Sequence, residues 1–311
     1  MKSALPIMRE AVSATTEALE NMGSTQLDEI RAIIMSHGAI LLRGYSVDST
    51  ASFSQAVALI GGQPVPYVDG TSPRKKLDGN VYTSTEHPAD SSIALHNEQS
   101  YCASWPAKLF FCCVIPAQSG GHTLLGDSAA VLQGIDQTVR SMFAEKGVMY
   151  VRNLPGGESI GLSWQTTFET DDRAVAEAYC LANGIEFRWK TDGTLQLITK
   201  RPATAIHRGT GREVWFNQAD LFHPSSNSPE IYAVLMELYG QEPFDLPQYA
   251  CFGDGTPIPD TMLDHVREVA KQHTFQFDWN KGDLLVIDNM LISHGRSPYT
   301  GNRKILVAMT D

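Results

Sequence analysis

The 311-residue sequence lacks the features that mark several common protein classes. It has no run of about 18 consecutive apolar residues, so it offers no candidate membrane helix. The motif G-x-G-x-x-G is missing and strands do not alternate regularly with helices, which argues against a doubly wound dinucleotide-binding fold. No repeat, low-complexity tract or Gly/Ser linker divides the chain. What remains is a globular composition, with 42% apolar and 19% charged residues.

Positive charge is also scarce, because 24 Lys and Arg residues stand against 35 Asp and Glu residues, for a net charge of −11. An acidic surface repels phosphate backbones, so we expect no nucleic-acid partner. The lack of a long apolar run likewise leads us to expect no membrane partner. The five cysteines are odd in number and show no C-x-x-C spacing, which favours buried thiols in a reducing compartment. Without a signal-like apolar segment near the N-terminus, a cytoplasmic location is expected.

The order of the predicted elements indicates an α+β protein with one β-core and inserted helices. Apolar residues at helical spacing end at Gly38, and a short strand is predicted over 39–45. We expect a single domain over residues 1–311. Within it, residues 1–78 would form peripheral helices and lead-in strands, and residues 79–311 would form the core with a helical insertion at about 127–270.

Turn-forming and helix-capping residues predict where the strands and helices of the core begin and end. The segments VYTSTE, IALHNEQSY, KLFFCCVI, REVWFNQ, TFQFDW, DLLVIDNMLI and RKILVAM predict strands. Asp192-Gly193, between two β-type runs, predicts a hairpin. Helix starts are predicted at Asp127, Thr170, Pro229 and Pro259.

One histidine stands out as a metal ligand. Of nine histidines, only His96 is followed two residues later by a carboxylate, that of Glu98. On a strand these two side chains would point to the same face and could reach one ion together. His294, at the end of an apolar strand, is the best third ligand. Two histidines and one carboxylate form the facial triad that suits Fe(II) and leaves positions open for substrate and dioxygen.

Several segments together resemble the taurine dioxygenase / clavaminate synthase superfamily of Fe(II)- and 2-oxoglutarate-dependent oxygenases, and within it the amino-acid hydroxylases of peptide natural-product pathways. The matching segments are LHNEQSY, PAKLFFCCVIPAQSGGHTLLGD, SWQTTFET, VWFNQ and DWNKGDLLVIDNMLISHGRSPYTGNRKI. The resemblance implies a double-stranded β-helix (jelly-roll) core. It also implies that His96, Glu98 and His294 bind iron and are the catalytic centre. Since related halogenases lack the carboxylate, Glu98 argues for hydroxylation or a related oxidation over halogenation.

The same resemblance implies a site for the 2-oxoglutarate cosubstrate. Thr123, preceded by two glycines, matches the threonine that binds its distal carboxylate. An arginine after the last histidine completes that site, because a guanidinium grips a carboxylate bidentately. Arg303 is preferred at the start of the last strand, with Arg296 as the alternative that more naturally braces the site. The relatives' substrate-binding arginine further along that strand is replaced by Val307, which argues against a taurine-like sulfonate.

Substrate contacts are less defined. The candidates are Tyr101, Arg74, Asn97 and Asn217. Tyr101 would line the pocket or equally belong to the core, and Arg74 would lie in a lid at the pocket entrance. Asn217 would support the site, although buried asparagines often only satisfy backbone groups.

The resemblance implies an enzyme that couples oxidative decarboxylation of 2-oxoglutarate to hydroxylation of an unactivated C–H bond, with Fe(II), 2-oxoglutarate and dioxygen. The expected substrate is a small molecule, an amino acid or an aminoacyl group on a peptidyl carrier protein. Desaturation or cyclisation by the same chemistry is an alternative, and so, from another class, is a zinc hydrolase or a non-catalytic metal-binding barrel. A homo-oligomer is compatible with the sequence.

Overall fold

The computed structural model describes residues 7–10, 19–72, 74–84, 87–157 and 162–311. Among these residues, no helix combines the length and the apolar character that crossing a bilayer requires.

The α-helices are α1 (Ser24–His37), α2 (Thr50–Gly61), α3 (Ser128–Gly134), α4 (Gln137–Lys146), α5 (Trp164–Phe168), α6 (Arg173–Ala182), α7 (Ala219–Phe222), α8 (Pro229–Tyr239) and α9 (Asp260–Gln272). The strands are β1 (Ile7–Glu10), β2 (Ala39–Arg43), β3 (Lys76–Asp78), β4 (Val81–Thr83), β5 (Ile93–His96), β6 (Lys108–Ile115), β7 (Ser119–Gly120), β8 (Thr123–Asp127), β9 (Val148–Leu154), β10 (Glu186–Trp189), β11 (Leu195–Arg201), β12 (Thr204–Ile206), β13 (Glu213–Trp215), β14 (Gln248–Phe252), β15 (Thr274–Phe277), β16 (Leu284–Asp288), β17 (Ile292–Arg296), β18 (Tyr299–Thr300) and β19 (Lys304–Thr310).

Two sheets pack against each other to form the core. The main sheet has the strand order β1-β2-β16-β6-β19-β4-β3, and the minor sheet has the order β15-β8-β17-β5. Apolar side chains from both sheets share one buried cluster, with Phe111 and Leu285 from the main sheet and Leu125 from the minor sheet. The predicted α+β class with a jelly-roll core is confirmed.

The N-terminal region is not peripheral, contrary to the prediction for residues 1–78. Strand β2 lies inside the main sheet, where it pairs with β1 on one side and β16 on the other. Its residues 39–42 are fully buried because the run AILL is apolar at every position and can be covered on both faces. Helices α1 and α2 provide that cover on the outer face, through side chains such as Ile34 and Val57.

Most predicted helix ends agree with the structure. Gly38 ends α1 in the left-handed conformation at φ 80°, and Asp127 caps α3 by accepting two backbone N–H groups. The helix predicted after Asp127 breaks into α3 and α4 because Asp136 caps a second start. Helix α6 is capped by Asp172 rather than by Thr170, and Pro259 precedes α9 as its N-cap residue.

One long strand prediction also divides. In the run DLLVIDNMLI, β16 ends at Asp288 and β17 begins only at Ile292, because the carboxylate of Asp288 accepts the N–H groups of Met290 and Leu291 and turns the chain. The predicted helical insertion contains a sheet as well as helices, with the strand order β10-β11-β9-β14. The hairpin predicted at Asp192-Gly193 joins β10 to β11.

Candidate metal centre

The predicted ligands converge at the edge of the minor sheet. His96 on β5 pairs in register with His294 on β17, and the centroids of their rings are 4.3 Å apart. The carboxylate Oε2 of Glu98 lies 3.9 Å from Nε2 of His294. Each of the three residues offers one ligand atom, and these atoms lie within 4.8 Å of one another. Two imidazoles and one carboxylate, gathered this closely, could hold a metal ion.

Glu98 reaches this position from a turn and not from a strand, which corrects the argument that His96 and Glu98 share a strand face. Strand β5 ends at His96, and Glu98 lies in the turn that follows. The side chain of Asn289 fixes this turn. The Glu98 N–H donates to Asn289 Oδ1 at 2.8 Å, and Asn289 Nδ2 donates to the Glu98 carbonyl at 2.9 Å. The Asn289 carboxamide thus makes the two backbone hydrogen bonds that a neighbouring strand would otherwise make to Glu98.

The hydrogen bonding of the imidazoles fits a metal site. Nδ1 of His96 lies 2.9 Å from the Ala94 carbonyl, an acceptor that assigns the proton to Nδ1 and leaves Nε2 with its lone pair. Nδ1 of His294 is fully buried and has no hydrogen-bond partner among the residues that the structure describes. Because a buried polar atom without a partner is costly, this ring is suited to a ligand supplied from outside the chain.

Electrostatics keep both rings neutral at pH 7, the form that binds metals. Burial lowers the pKa of His96, although the charge of Glu98 acts in the opposite sense. Burial lowers the pKa of His294 well below its usual value, and His96 and Arg74 lower it further.

Arg74 lies at this centre and not in a lid at the entrance. Its guanidinium forms a buried ion pair with the Glu98 carboxylate and stands 4.4 Å above the centroid of the Tyr67 ring. The Tyr67 hydroxyl donates to Glu98 Oε1 at 3.4 Å. Burial and the charge of Glu98 raise the pKa of this phenol, so it remains a donor. Glu98 is therefore held through both oxygens as well as through its backbone.

A small cavity beside the two histidines contains the predicted cosubstrate residues. Thr123, Arg303 and His294 line it together. The indole N–H of Trp279 donates to Thr123 Oγ1 at 3.2 Å. Since an indole can only donate, the threonine hydroxyl is the acceptor in this bond and its own proton is available for a carboxylate.

Arg303 is the arginine that is open to a ligand in this cavity. Its Nε donates to the Gly121 carbonyl at 3.0 Å, and no carboxylate among the described residues forms an ion pair with it. Burial and, to a lesser extent, the charge of Arg296 lower the pKa of Arg303 to about 10, so the guanidinium still carries its charge at pH 7. Gly121 has φ 68°, and a Cβ there would lie only 3.0 Å from Cδ of Arg303. The glycine therefore permits this close approach.

Arg296 is occupied by the backbone. It donates to the carbonyl groups of His87, Pro88 and Ser91 at 3.1, 2.5 and 2.7 Å. These bonds fix the segment before β5 and leave Arg296 less free than Arg303 to bind a second carboxylate.

The other predicted substrate residues are largely structural. Tyr101 is 1% exposed, donates to the Asp69 carbonyl at 2.6 Å and packs in the core, so of its two expected places, pocket or core, it occupies the core. Asn217 donates to the Ala203 carbonyl and accepts the N–H that starts α7. Asn97 donates to the backbone carbonyl of Asn289. Asn97 and Asn217 both line a cavity, but their side-chain N–H groups already donate to backbone carbonyls.

A larger cavity of about 450 Å³ lies on another side of the ligand cluster and was not anticipated from the sequence. His96 and Glu98 form part of its wall, together with Thr71, Asp220 and Arg267. These last three residues belong to segments without a recognisable motif. The available signal was weak: Asp220 closely follows the strand segment VWFNQ, which suggested only a supporting role.

Comparisons with known proteins agree with this architecture. A protein-family model with the description "Taurine catabolism dioxygenase TauD, TfdA family" matches residues 4–310. The dapdiamide synthesis protein DdaC of Enterobacter agglomerans is 37% identical over 282 residues, 91% of this chain and 84% of that protein. A clavaminate synthase-like protein of Arabidopsis thaliana is 28% identical over 99% of this chain and 90% of its own. The structure of PvcB from Pseudomonas aeruginosa superposes with a TM-score of 0.55 at 14% identity, covering 97% and 84% of the two chains.

The jelly-roll core and the His/Glu/His cluster at its edge define a non-haem dioxygenase. The chain belongs to the taurine catabolism dioxygenase TauD, TfdA family. The family and the enzyme class predicted from the sequence are thereby confirmed. Membership also favours an oxygenase over the alternative of a zinc hydrolase.

Proposed function

We propose that the whole chain, 1–311, is one catalytic domain that hydroxylates an unactivated C–H bond of a small molecule in secondary metabolism. Its cofactors are Fe(II), 2-oxoglutarate and dioxygen. One observation carries the proposal: the paired histidines and Glu98 stand next to a cavity in which Thr123 and Arg303 both face the same space. A metal-binding group thus adjoins a carboxylate-binding group, as a chelating dicarboxylate requires.

Each side chain has a defined part in this scheme. His96, Glu98 and His294 hold the iron, and the bound iron with 2-oxoglutarate supplies the oxidising chemistry. Arg303 forms an ion pair with the distal carboxylate of the cosubstrate, and the Thr123 hydroxyl donates a hydrogen bond to the same carboxylate. Arg74 and Tyr67 hold the Glu98 carboxylate in place. Phe111, whose ring centroid is 5.2 Å from that of His294, keeps this side of the centre apolar and limits access of water.

The substrate enters by the larger cavity, whose wall includes His96 and Glu98. We assign it an amino acid or an aminoacyl group on a peptidyl carrier protein, and the similarity to DdaC, a protein of dapdiamide synthesis, supports this assignment. A neighbouring cavity shares Thr71, Asn227 and Gln248 with the larger cavity and adds to the space available for a substrate.

Anaerobic addition of Fe(II) and 2-oxoglutarate tests the proposal. We expect a visible metal-to-ligand charge-transfer band, and succinate release once dioxygen and substrate are added. His294→Ala should abolish both signals, whereas His37→Ala, at an exposed position of α1, should retain them. Absence of the band from the unaltered protein with metal bound would refute the proposed function. Succinate release from His294→Ala would remove His294 from the ligand set.

A further inference from the structure

An apolar cavity of about 410 Å³ lies beside the substrate cavity, between α9 and the minor sheet. Leu95 and Leu124 form its floor, and Leu263, Val266 and Ala270 of α9 form its opposite wall. Successive residues of a strand point to opposite faces of a sheet, so Leu95 lies on the face opposite to the metal ligand that follows it. We call this space the side cavity.

The side cavity adjoins the larger cavity at the edge strand β5. His96, Asp220, Leu221 and Arg267 line both cavities. A molecule with one end beside His96 would reach the apolar space by passing around the edge of β5, between Asp220 and Arg267.

The junction between the two cavities offers a hydrogen-bond acceptor. Arg267 Nε donates to Asp220 Oδ1 at 2.6 Å, and its other nitrogens donate to Asp264 at 2.8 Å and Ser225 at 2.9 Å. No residue that the structure describes donates to the second carboxylate oxygen of Asp220. Because the guanidinium already faces two carboxylates, the junction favours a ligand with an N–H group over a ligand with a further carboxylate.

We infer that the side cavity binds an alkyl chain of the substrate, and that an amine or amide N–H of the same substrate donates to Asp220. This inference rests on the proposed function for the place of the chemistry, and it adds the substrate class: an amine or amide that carries an apolar chain. Burial of the chain supplies affinity, and the hydrogen bond to Asp220 sets how far the chain extends from the metal ligands.

Isothermal titration of the anaerobic protein loaded with Fe(II) and 2-oxoglutarate tests the inference without turnover. The probes are n-butylamine, n-hexylamine and n-octylamine, together with the corresponding n-alkanols. We expect the dissociation constant to fall about fourfold with each added methylene until the side cavity is full. Amines should bind more tightly than alcohols of equal length, and Asp220→Asn should remove that preference.

Substitutions on α9 separate this site from general adsorption to an acidic protein. Ala270→Phe fills the side cavity and should abolish the dependence on chain length, whereas Glu268→Phe, at an exposed position of the same helix, should preserve it. Thr274→Phe, on another wall, provides a second filling variant if Ala270→Phe does not fold. The charge-transfer band verifies the metal centre of each variant.

Each result is decisive. A dissociation constant that does not depend on chain length, or a dependence that survives both filling variants, would overturn the apolar site. An amine preference that survives Asp220→Asn would overturn the role of Asp220. These failures differ from failure of the proposed function, because the latter would remove the band from the unaltered protein.

Discussion

His96 and His294 are direct partners across two antiparallel strands, with ring centroids 4.3 Å apart. A shift of one residue in the pairing of β5 and β17 would turn one ring to the opposite face of the minor sheet. The histidine pair is therefore set by the register of the sheet. Glu98 depends instead on a turn, which the side chain of Asn289 holds.

Removal of the Asn289 side chain should weaken metal binding although Asn289 is not a ligand. In Asn289→Ala the backbone of Glu98 loses two hydrogen bonds, so its carboxylate is less well positioned. We expect the affinity for Fe(II) to fall about 10- to 100-fold in an anaerobic titration. Asn80→Ala, which removes a bond to the Pro64 carbonyl far from the site, serves as the control. Equal affinity in the two variants would contradict this role of Asn289.

The two arginines of the last strands should give different phenotypes. Arg303→Gln should raise the KM for 2-oxoglutarate about 10- to 100-fold, because a charge-assisted contact is lost, and Arg303→Lys should restore part of it. Arg296→Gln should change that KM little and lower the melting temperature, because three backbone carbonyls lose their donor. Steady-state kinetics and thermal unfolding of both variants measure these effects. The opposite pattern would assign the cosubstrate to Arg296.

Stability should fall in mild acid, partly through His223. Burial lowers the pKa of this imidazole, and Arg267 lowers it too while Asp260 raises it. The folded state thus binds fewer protons than the unfolded state, whose histidine titrates near 6.5. Full stability is expected above about pH 6.5, with progressive loss as the pH falls toward the folded-state pKa.

His223→Asn tests this assignment, because an amide oxygen can accept the Ser225 N–H as Nδ1 does but does not titrate. The free energy of unfolding, measured in urea between pH 7.5 and 5, should decline less steeply in this variant. His37→Gln, at an exposed position, should leave the slope unchanged. A slope equal to that of the unaltered protein would show that His223 does not carry the effect.

The buried ion pair of Arg152 and Asp69 should contribute strongly to stability. Both side chains are almost fully buried, and Asp69 also holds the Tyr101 hydroxyl through its carbonyl. Arg152→Met leaves the carboxylate buried without its partner, so we expect a loss of about 3–5 kcal/mol in the free energy of unfolding. Glu29→Ala, which removes an exposed ion pair with Arg9, should cost less than about 1 kcal/mol. Similar losses in urea unfolding would refute this difference.

Sequence reasoning located the groups whose chemistry is specific. The H-x-E spacing found His96 and Glu98, and the end of an apolar segment found His294. It preferred Arg303 to Arg296 for the cosubstrate, and the hydrogen bonds of Arg296 agree with that order. Single residues in the sequence also predict several helix ends, such as the start of α3 at Asp127 and the end of α1 at Gly38. The reason is that the capping bonds of Asp127 and the left-handed conformation at Gly38 involve only nearby backbone.

Sequence reasoning failed where a residue's role depends on distant partners. Tyr101 was expected to line the pocket or the core, and only packing placed it in the core. The sequence suggests a lid position for Arg74, yet this residue pairs with Glu98 at the candidate metal centre. The sequence of β2 suggests a peripheral strand, because nothing in it shows that β16 pairs with it.

The sequence by itself determined the kinds of groups that we propose for the metal and cosubstrate sites: two imidazoles, a carboxylate, a threonine hydroxyl and a guanidinium. Only the tertiary structure decided how they meet. Strand register brings His294 opposite His96, and the long-range bonds of Asn289 set the turn that carries Glu98. The side cavity likewise exists only where α9 crosses the minor sheet. The physical reason is that ligand identity is local, whereas register, burial and cavities arise from contacts between segments that are far apart in the chain.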